Sequence, residues 1–150
     1  MRVLVVSEDA SERLRAVSAL RLHADADVVE AHSAPEARGA LQGEDFDVLV
    51  VDGDLSPKGG FALLYSLQAQ NDLAGASTPP SVVLAGREQD RWLGDWAGAS
   101  AVLVKPVSPF VLAEHVRGLV GEVARPHGIG ESGDQLSHLV DRAGVAGLTP

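Results

Sequence analysis

Asp47-Val-Leu-Val-Val-Asp52 is a short apolar run closed by an acid, and its reading decides the fold. Consecutive aliphatic residues bounded by charges, with a glycine next, form the pattern of a strand buried on both faces in a parallel sheet. The pattern recurs upstream in Arg2-Val-Leu-Val-Val-Ser-Glu8-Asp9 and downstream in Ala101-Val-Leu-Val-Lys105-Pro106. In an open parallel sheet the functional crevice lies outside the carboxyl ends of the strands. If these strands are neighbours, Glu8, Asp9 and Asp52 meet at one edge, and Lys105 is delivered beside them.

Outward from these runs, strand and helix alternate. Strands are expected at Val3–Val6, Asp27–Ala31, Val48–Val51, Ser81–Ala85 and Ala101–Val104. Helices are expected over Ser11–His23 with Ser11 as N-cap, Ala34–Gln42 with Pro35 in the first turn, Phe61–Gln70, Glu88–Ala97 and Pro109–Val123. The Ala-, Gly-, Ser-, Thr- and Pro-rich stretch Asp72–Pro80 reads as a loop. Five strands alternating with five helices predict a doubly wound α/β sheet joined by right-handed crossovers. After Val123 the alternation stops. Residues 124–150 are expected to be a tail with one short amphipathic helix around Leu136–Ala143 and no output domain.

Composition narrows the function classes. The 150 residues are 45% hydrophobic, enough for one domain with its own core, and that core must be aliphatic because Phe, Trp and Tyr number only 3, 2 and 1. The absence of cysteine excludes disulfides, thiolate catalysis and Cys-ligated metal sites. With a strand expected from Arg2 no signal peptide is expected, no apolar stretch approaches a membrane span, and a cytoplasmic setting follows as an expectation. The net charge of −9 and the scattering of the 12 basic residues oppose direct nucleic-acid binding, which needs clustered Lys and Arg to release counterions.

The acids carry the chemistry. Two carboxylates about 4 Å apart repel by roughly 4 kcal/mol at an effective dielectric of 20, so a pocket holding three needs a cation. Hard oxygen donors at a half-open edge suit Mg²⁺, which keeps several waters and takes one or two carboxylates. With Mg²⁺ and a lysine neutralising phosphoryl oxygens, a carboxylate can attack phosphorus in line. In that arrangement Asp52 is the nucleophile, Glu8 and Asp9 hold the metal, and Lys105 grips the phosphoryl group. Each residue also has a plainer role: acids after strands cap helices, and Asp9 lies two residues before Ser11. It is the combination, in this order and spacing, that points to phosphoryl chemistry.

Those residues resemble the receiver domain of bacterial two-component response regulators, over residues 1–123. Glu8-Asp9 is similar to the family's acidic pair, Val50-Val51-Asp52-Gly53-Asp54 to its phosphoacceptor strand end, Gly60 to the glycine opening the third helix, and Lys105-Pro106 to its Lys-Pro signature. The resemblance implies a flavodoxin-like sheet of order 2-1-3-4-5 and a cis bond before Pro106. It implies that Asp52 accepts a phosphoryl group from a sensor histidine kinase or a small phosphodonor, with the main-chain carbonyl of Asp54 completing the Mg²⁺ shell. It further implies a signalling protein rather than an enzyme, beyond catalysing its own phosphorylation and dephosphorylation.

The chain departs from that family at two positions. Ala85 stands where the family places a Ser or Thr after the fourth strand, and Val102 where it places a switch aromatic. A hydroxyl–aromatic relay is therefore missing, and Arg87 is the residue whose guanidinium could bind the phosphoryl group instead. The alternative is a phosphorylation-independent interaction module. With no output domain expected, output is expected through protein–protein contact, phosphoryl relay or a partner encoded elsewhere, and the expected contact surface is the fourth helix, fifth strand and fifth helix. Trp92 and Trp96, four apart, are candidate interface anchors there, unless both belong to the core. The tail could dock on that surface or mediate a homodimer.

Two rival classes fit less well. Asp52-Gly53-Asp54 also looks like the Asp-x-Asp motif of haloacid-dehalogenase-type phosphatases, but those place it on the first strand with acids after the lysine. Here the acidic pair precedes Asp52, and no acid follows Lys105 until Glu114. A Rossmann nucleotide site lacks its Gly-x-Gly-x-x-Gly after the first strand. The histidines His23, His32, His115, His127 and His138 show no metal-ligand spacing and read as solvated or capping residues.

Overall fold

The strands form because Val-rich segments gain most where both faces are covered, and the arrangement follows from that. In a computed structural model that describes residues 1–124, β1 (Arg2–Val6), β2 (Asp27–Ala31), β3 (Val48–Asp52), β4 (Ser81–Ala85) and β5 (Ala101–Val104) make one parallel sheet of order β2-β1-β3-β4-β5. Between them run α1 (Ala10–His23), α2 (Ala34–Gly43), α3 (Gly60–Ala74), a 3₁₀ turn (Glu88–Asp90), α4 (Leu93–Ala97) and, after β5, α5 (Pro109–Ala124). This is the expected doubly wound sheet, and Met1–Val120 form one compact unit. The tail helix expected around Leu136–Ala143 lies outside the described residues.

Strand alternation divides the core in two. Val3, Val5, Val48, Val50, Val82 and Leu84 pack against Val17 and Leu20 of α1 and Leu112 and Val116 of α5. The intervening Leu4, Val6, Leu49, Val51, Val83 and Ala85 pack against α2, α3 and α4 through Ala37, Leu63, Leu64, Leu67 and Ala97. Side chains alternate across a strand, so the parity of a residue says which helices it meets.

Three local readings are corrected. Asp9, not Ser11, is the N-cap of α1: its side-chain oxygen accepts from the amides of Ser11 and Glu12. α3 runs on to Ala74 before Gly75, in the left-handed region at φ 72°, closes it, so the loop is shorter than the stretch Asp72–Pro80. The helix expected over Glu88–Ala97 breaks into the 3₁₀ turn and the 5-residue α4. Arg87 pairs with Asp90 and Arg91 with Glu88, the i,i+3 spacing a 3₁₀ turn brings into line. Gly94, the second residue of α4, and Gly98 at its C-cap leave little intrinsic helix stability for a longer element.

Candidate functional site

The carboxyl ends of β1, β3 and β5 define the site, and register sets who meets whom. β1 and β3 pair with Val5 opposite Val50 and Val6 opposite Val51. One step further, Ser7 comes opposite Asp52 with the same parity. Ser7 is 2% exposed and Asp52 4% exposed, and the Ser7 hydroxyl donates to Asp52 Oδ2 at 2.8 Å. Ser7 was not among the residues singled out from the sequence. Its signal was present in the strand alternation, because Glu8 falls on the opposite parity.

The other oxygen of Asp52 is held from the far side. Lys105 Nζ donates to Asp52 Oδ1 at 2.8 Å, and the Asp54 amide donates to the same oxygen at 3.0 Å. Lys105 reaches this position because β4 and β5 pair through Ala85 and Val104, after which the Lys105 amide bonds the Ala85 carbonyl at 2.8 Å. The Lys105–Pro106 peptide is cis, as is Ser56–Pro57. Lys105 Nζ also bonds the exposed Asp54 side chain at 3.0 Å. Burial by itself would raise the Asp52 pKa; the bonds from Lys105, the Asp54 amide and Ser7 outweigh it and hold the carboxyl below its ordinary value of 3.8. Lys105 likewise loses by desolvation and gains more from Asp52 and Asp54, so its ammonium titrates above the ordinary 10.5. Asp52 is thus a desolvated carboxylate kept ionised at neutral pH.

Gly60 lets the backbone close beneath this carboxylate. Its amide bonds the Gly53 carbonyl at 3.0 Å, and a Cβ here would overlap the Asp52 carbonyl oxygen and stand 2.7 Å from Val51 Cγ1. Only glycine permits that approach.

The remaining expected residues fall as follows. Asp9 is turned away to cap α1, with Oδ1 2.8 Å from the Ser11 amide and 3.1 Å from that of Glu12. Glu8 is exposed after β1 and has no hydrogen bond or ion pair among the described residues. No group of three or more His, Cys, Asp or Glu side chains among the described residues is placed to hold a metal ion. Ala85 is fully buried and brings no hydroxyl, Val102 packs half-buried at the sheet edge, and Arg87 spends its guanidinium on Asp90 at 2.8 Å and 3.2 Å. Neither tryptophan is core: Trp92 is 67% and Trp96 47% exposed, the latter stacked on Tyr65 at 4.4 Å between centroids. A second apolar surface went unread in the sequence. A groove of about 430 Å³ between α1 and the start of α5, lined by Leu14, Leu22, Pro109 and Leu112, opens beside Lys105.

The flavodoxin-like sheet carries a buried, lysine-paired aspartate at its carboxyl edge, and comparison with known proteins says which class of domain shares that fold. A response regulatory protein of Mycobacterium tuberculosis, with the same figures in two strains, is 35% identical over 125 residues, covering 80% of this chain and 91% of that protein. The chemotaxis response regulator CheY4 of Vibrio cholerae superposes with a TM-score of 0.68 at 25% identity, over 79% of this chain and 97% of that one. The receiver domain of a Francisella response regulator superposes with a TM-score of 0.69 at 24% identity, over 81% and 98%. No family model matches the chain. The chain belongs to the response regulators of two-component signalling, as a receiver domain.

Proposed function

We propose that the domain accepts a phosphoryl group on Asp52, from a phosphohistidine of a sensor kinase or from a small acyl phosphate, and passes the signal on by protein–protein contact. The observation that carries this reading is the buried Asp52 carboxylate, paired with the Lys105 ammonium. An Asp52 oxygen forms a new bond to phosphorus as the donor's P–N or P–O bond breaks, and the donor leaves with the bonding pair. Lys105, protonated throughout, pairs with the phosphoryl oxygens as Asp52 loses its charge. The Asp54 carboxylate competes with them for the same ammonium.

The donor set fits a hydrated Mg²⁺ better than a fully ligated one. Asp52, the Asp54 carbonyl and the exposed Glu8 would hold it, while the cap leaves Asp9 only one free oxygen. When bound, Mg²⁺ supplies positive charge against the phosphoryl oxygens.

A phosphorylation-independent interaction module is the second reading, favoured by the bare Ala85 and the small Val102. No helix among the described residues is long and apolar enough to cross a membrane, and a cytoplasmic setting suits either reading. Reductive trapping separates them. After acetyl phosphate and Mg²⁺, borohydride converts an acyl phosphate to the alcohol, and peptide mapping is expected to find that change at Asp52. Its absence, in conditions that label an ordinary receiver, would leave the interaction module.

A further inference from the structure

Ser7 stands between two systems, the Asp52 carboxylate and the N-terminus of α1. Its hydroxyl has one proton and two acceptors within reach, Asp52 Oδ2 at 2.8 Å and the Asp9 carbonyl at 3.4 Å. Its oxygen also accepts the Asp9 amide at 3.2 Å. Asp9 in turn caps α1 through Ser11 and Glu12. Arg13, one turn into α1, donates to the Ser7 carbonyl at 2.9 Å and pairs with Glu30 of β2 at 3.1 Å. A chain of direct bonds therefore runs from Asp52 through Ser7 to the first turn of α1 and on to β2.

On the β4 side the corresponding links are of a different kind. The Leu84 and Ala85 carbonyls accept from the Gly53 and Lys105 amides, backbone bonds that do not depend on the charge of Asp52. Ala85 has no group to bond a phosphoryl oxygen. Among the described residues Ser7 supplies the one hydroxyl in contact with Asp52.

We propose that Ser7 reads the phosphoryl state of Asp52 and transmits it to the N-terminus of α1. This rests on Asp52 being the phosphoacceptor. Phosphorylation turns one carboxylate oxygen into the bridging oxygen of an acyl phosphate and the other into a neutral carbonyl. Whichever oxygen attacks, the charge-assisted bond from Ser7 is lost, and such bonds are roughly twice as strong as neutral ones. The hydroxyl then turns to a phosphoryl oxygen or to the Asp9 carbonyl. Both moves alter the Ser7–Asp9 geometry on which the α1 cap is built. That is the differential contact a ligand needs to shift a population between conformations.

The test is amide NMR of the full chain with Mg²⁺ and saturating beryllofluoride, an acyl-phosphate mimic, in the wild type, Ser7→Ala and Ser7→Thr. In the wild type the Ser11, Glu12, Arg13 and Glu30 amides are expected to shift together with Gly53 and Lys105, which report the bound adduct. In Ser7→Ala at saturation, the response of Ser11, Glu12 and Glu30 is expected to be lost while Gly53 and Lys105 still shift, and Ser7→Thr restores it. A Ser7→Ala response at α1 equal to the wild type's would overturn the proposal, as would a wild-type response confined to β4 and α4. So would a Ser7→Ala chain that takes no adduct, since Ser7 would then build the site rather than read it. No shift at Gly53 and Lys105 in the wild type would instead overturn the phosphoacceptor reading, and this inference with it.

Discussion

At the scale of single residues, the site is governed by the competition between desolvation and hydrogen bonding at Asp52. Its folded pKa lies below the ordinary 3.8, so its contribution to stability is present above that value and is lost as pH falls through the folded pKa. Lys105 has the opposite sign: its contribution is complete below 10.5 and is lost as pH rises through its raised folded pKa. Replacing Lys105 by Met leaves a carboxylate that is 4% exposed without its cation. Urea unfolding near neutral pH is expected to show a loss of about 3 kcal/mol, the lower end for breaking a buried pair. The loss shrinks in acid, where Asp52 in the variant is protonated. Gly60→Ala acts through sterics: backbone on one side and Val51 on the other leave a methyl no room, for a loss of about 1–3 kcal/mol in the same assay. Of these features Asp52 and Lys105 were legible in the sequence from their positions after apolar runs, and Gly60 only through the family resemblance. Ser7 was not, because only its parity with Val3 and Val5 marks it, a weaker signal than the charges of Glu8 and Asp9 that follow it.

At the scale of elements, α1 owes its start to Asp9. Asp9→Ala is expected to cost about 1 kcal/mol, typical of removing an N-cap side chain and measurable as a lower denaturation midpoint. The strands were legible almost to the residue, since their Val-rich runs end abruptly in charged or small residues. α4 was not. Trp92 and Trp96 mimic a helical stripe over Glu88–Ala97, yet both are exposed, and only Gly94 and Ala97 of α4 are buried. A helix with so small a buried face gains little from packing, and the paired charges Arg87–Asp90 and Arg91–Glu88 settle the first half as a 3₁₀ turn instead.

At the scale of the molecule, one sheet separates two aliphatic cores and carries its chemistry on the edge where both end. Leu64, fully buried in the core of α2, α3 and α4, tests that dependence: Leu64→Ala is expected to cost about 2–5 kcal/mol of global stability by thermal or urea unfolding. The doubly wound class was legible because fully apolar strands need helices on both faces. The pairing that brings Lys105 to Asp52 is a property of the whole sheet. β5 reaches β3 only through β4, and no local stretch of sequence encodes that distance.

Intact mass spectrometry after incubation with acetyl phosphate and Mg²⁺ shows directly whether Asp52 is the phosphoacceptor. The wild type is expected to gain the mass of a single phosphoryl group, and Asp52→Asn, folded to the same extent by circular dichroism, to gain none. An adduct of equal yield in Asp52→Asn, or none in the wild type, would overturn the assignment of Asp52 as phosphoacceptor.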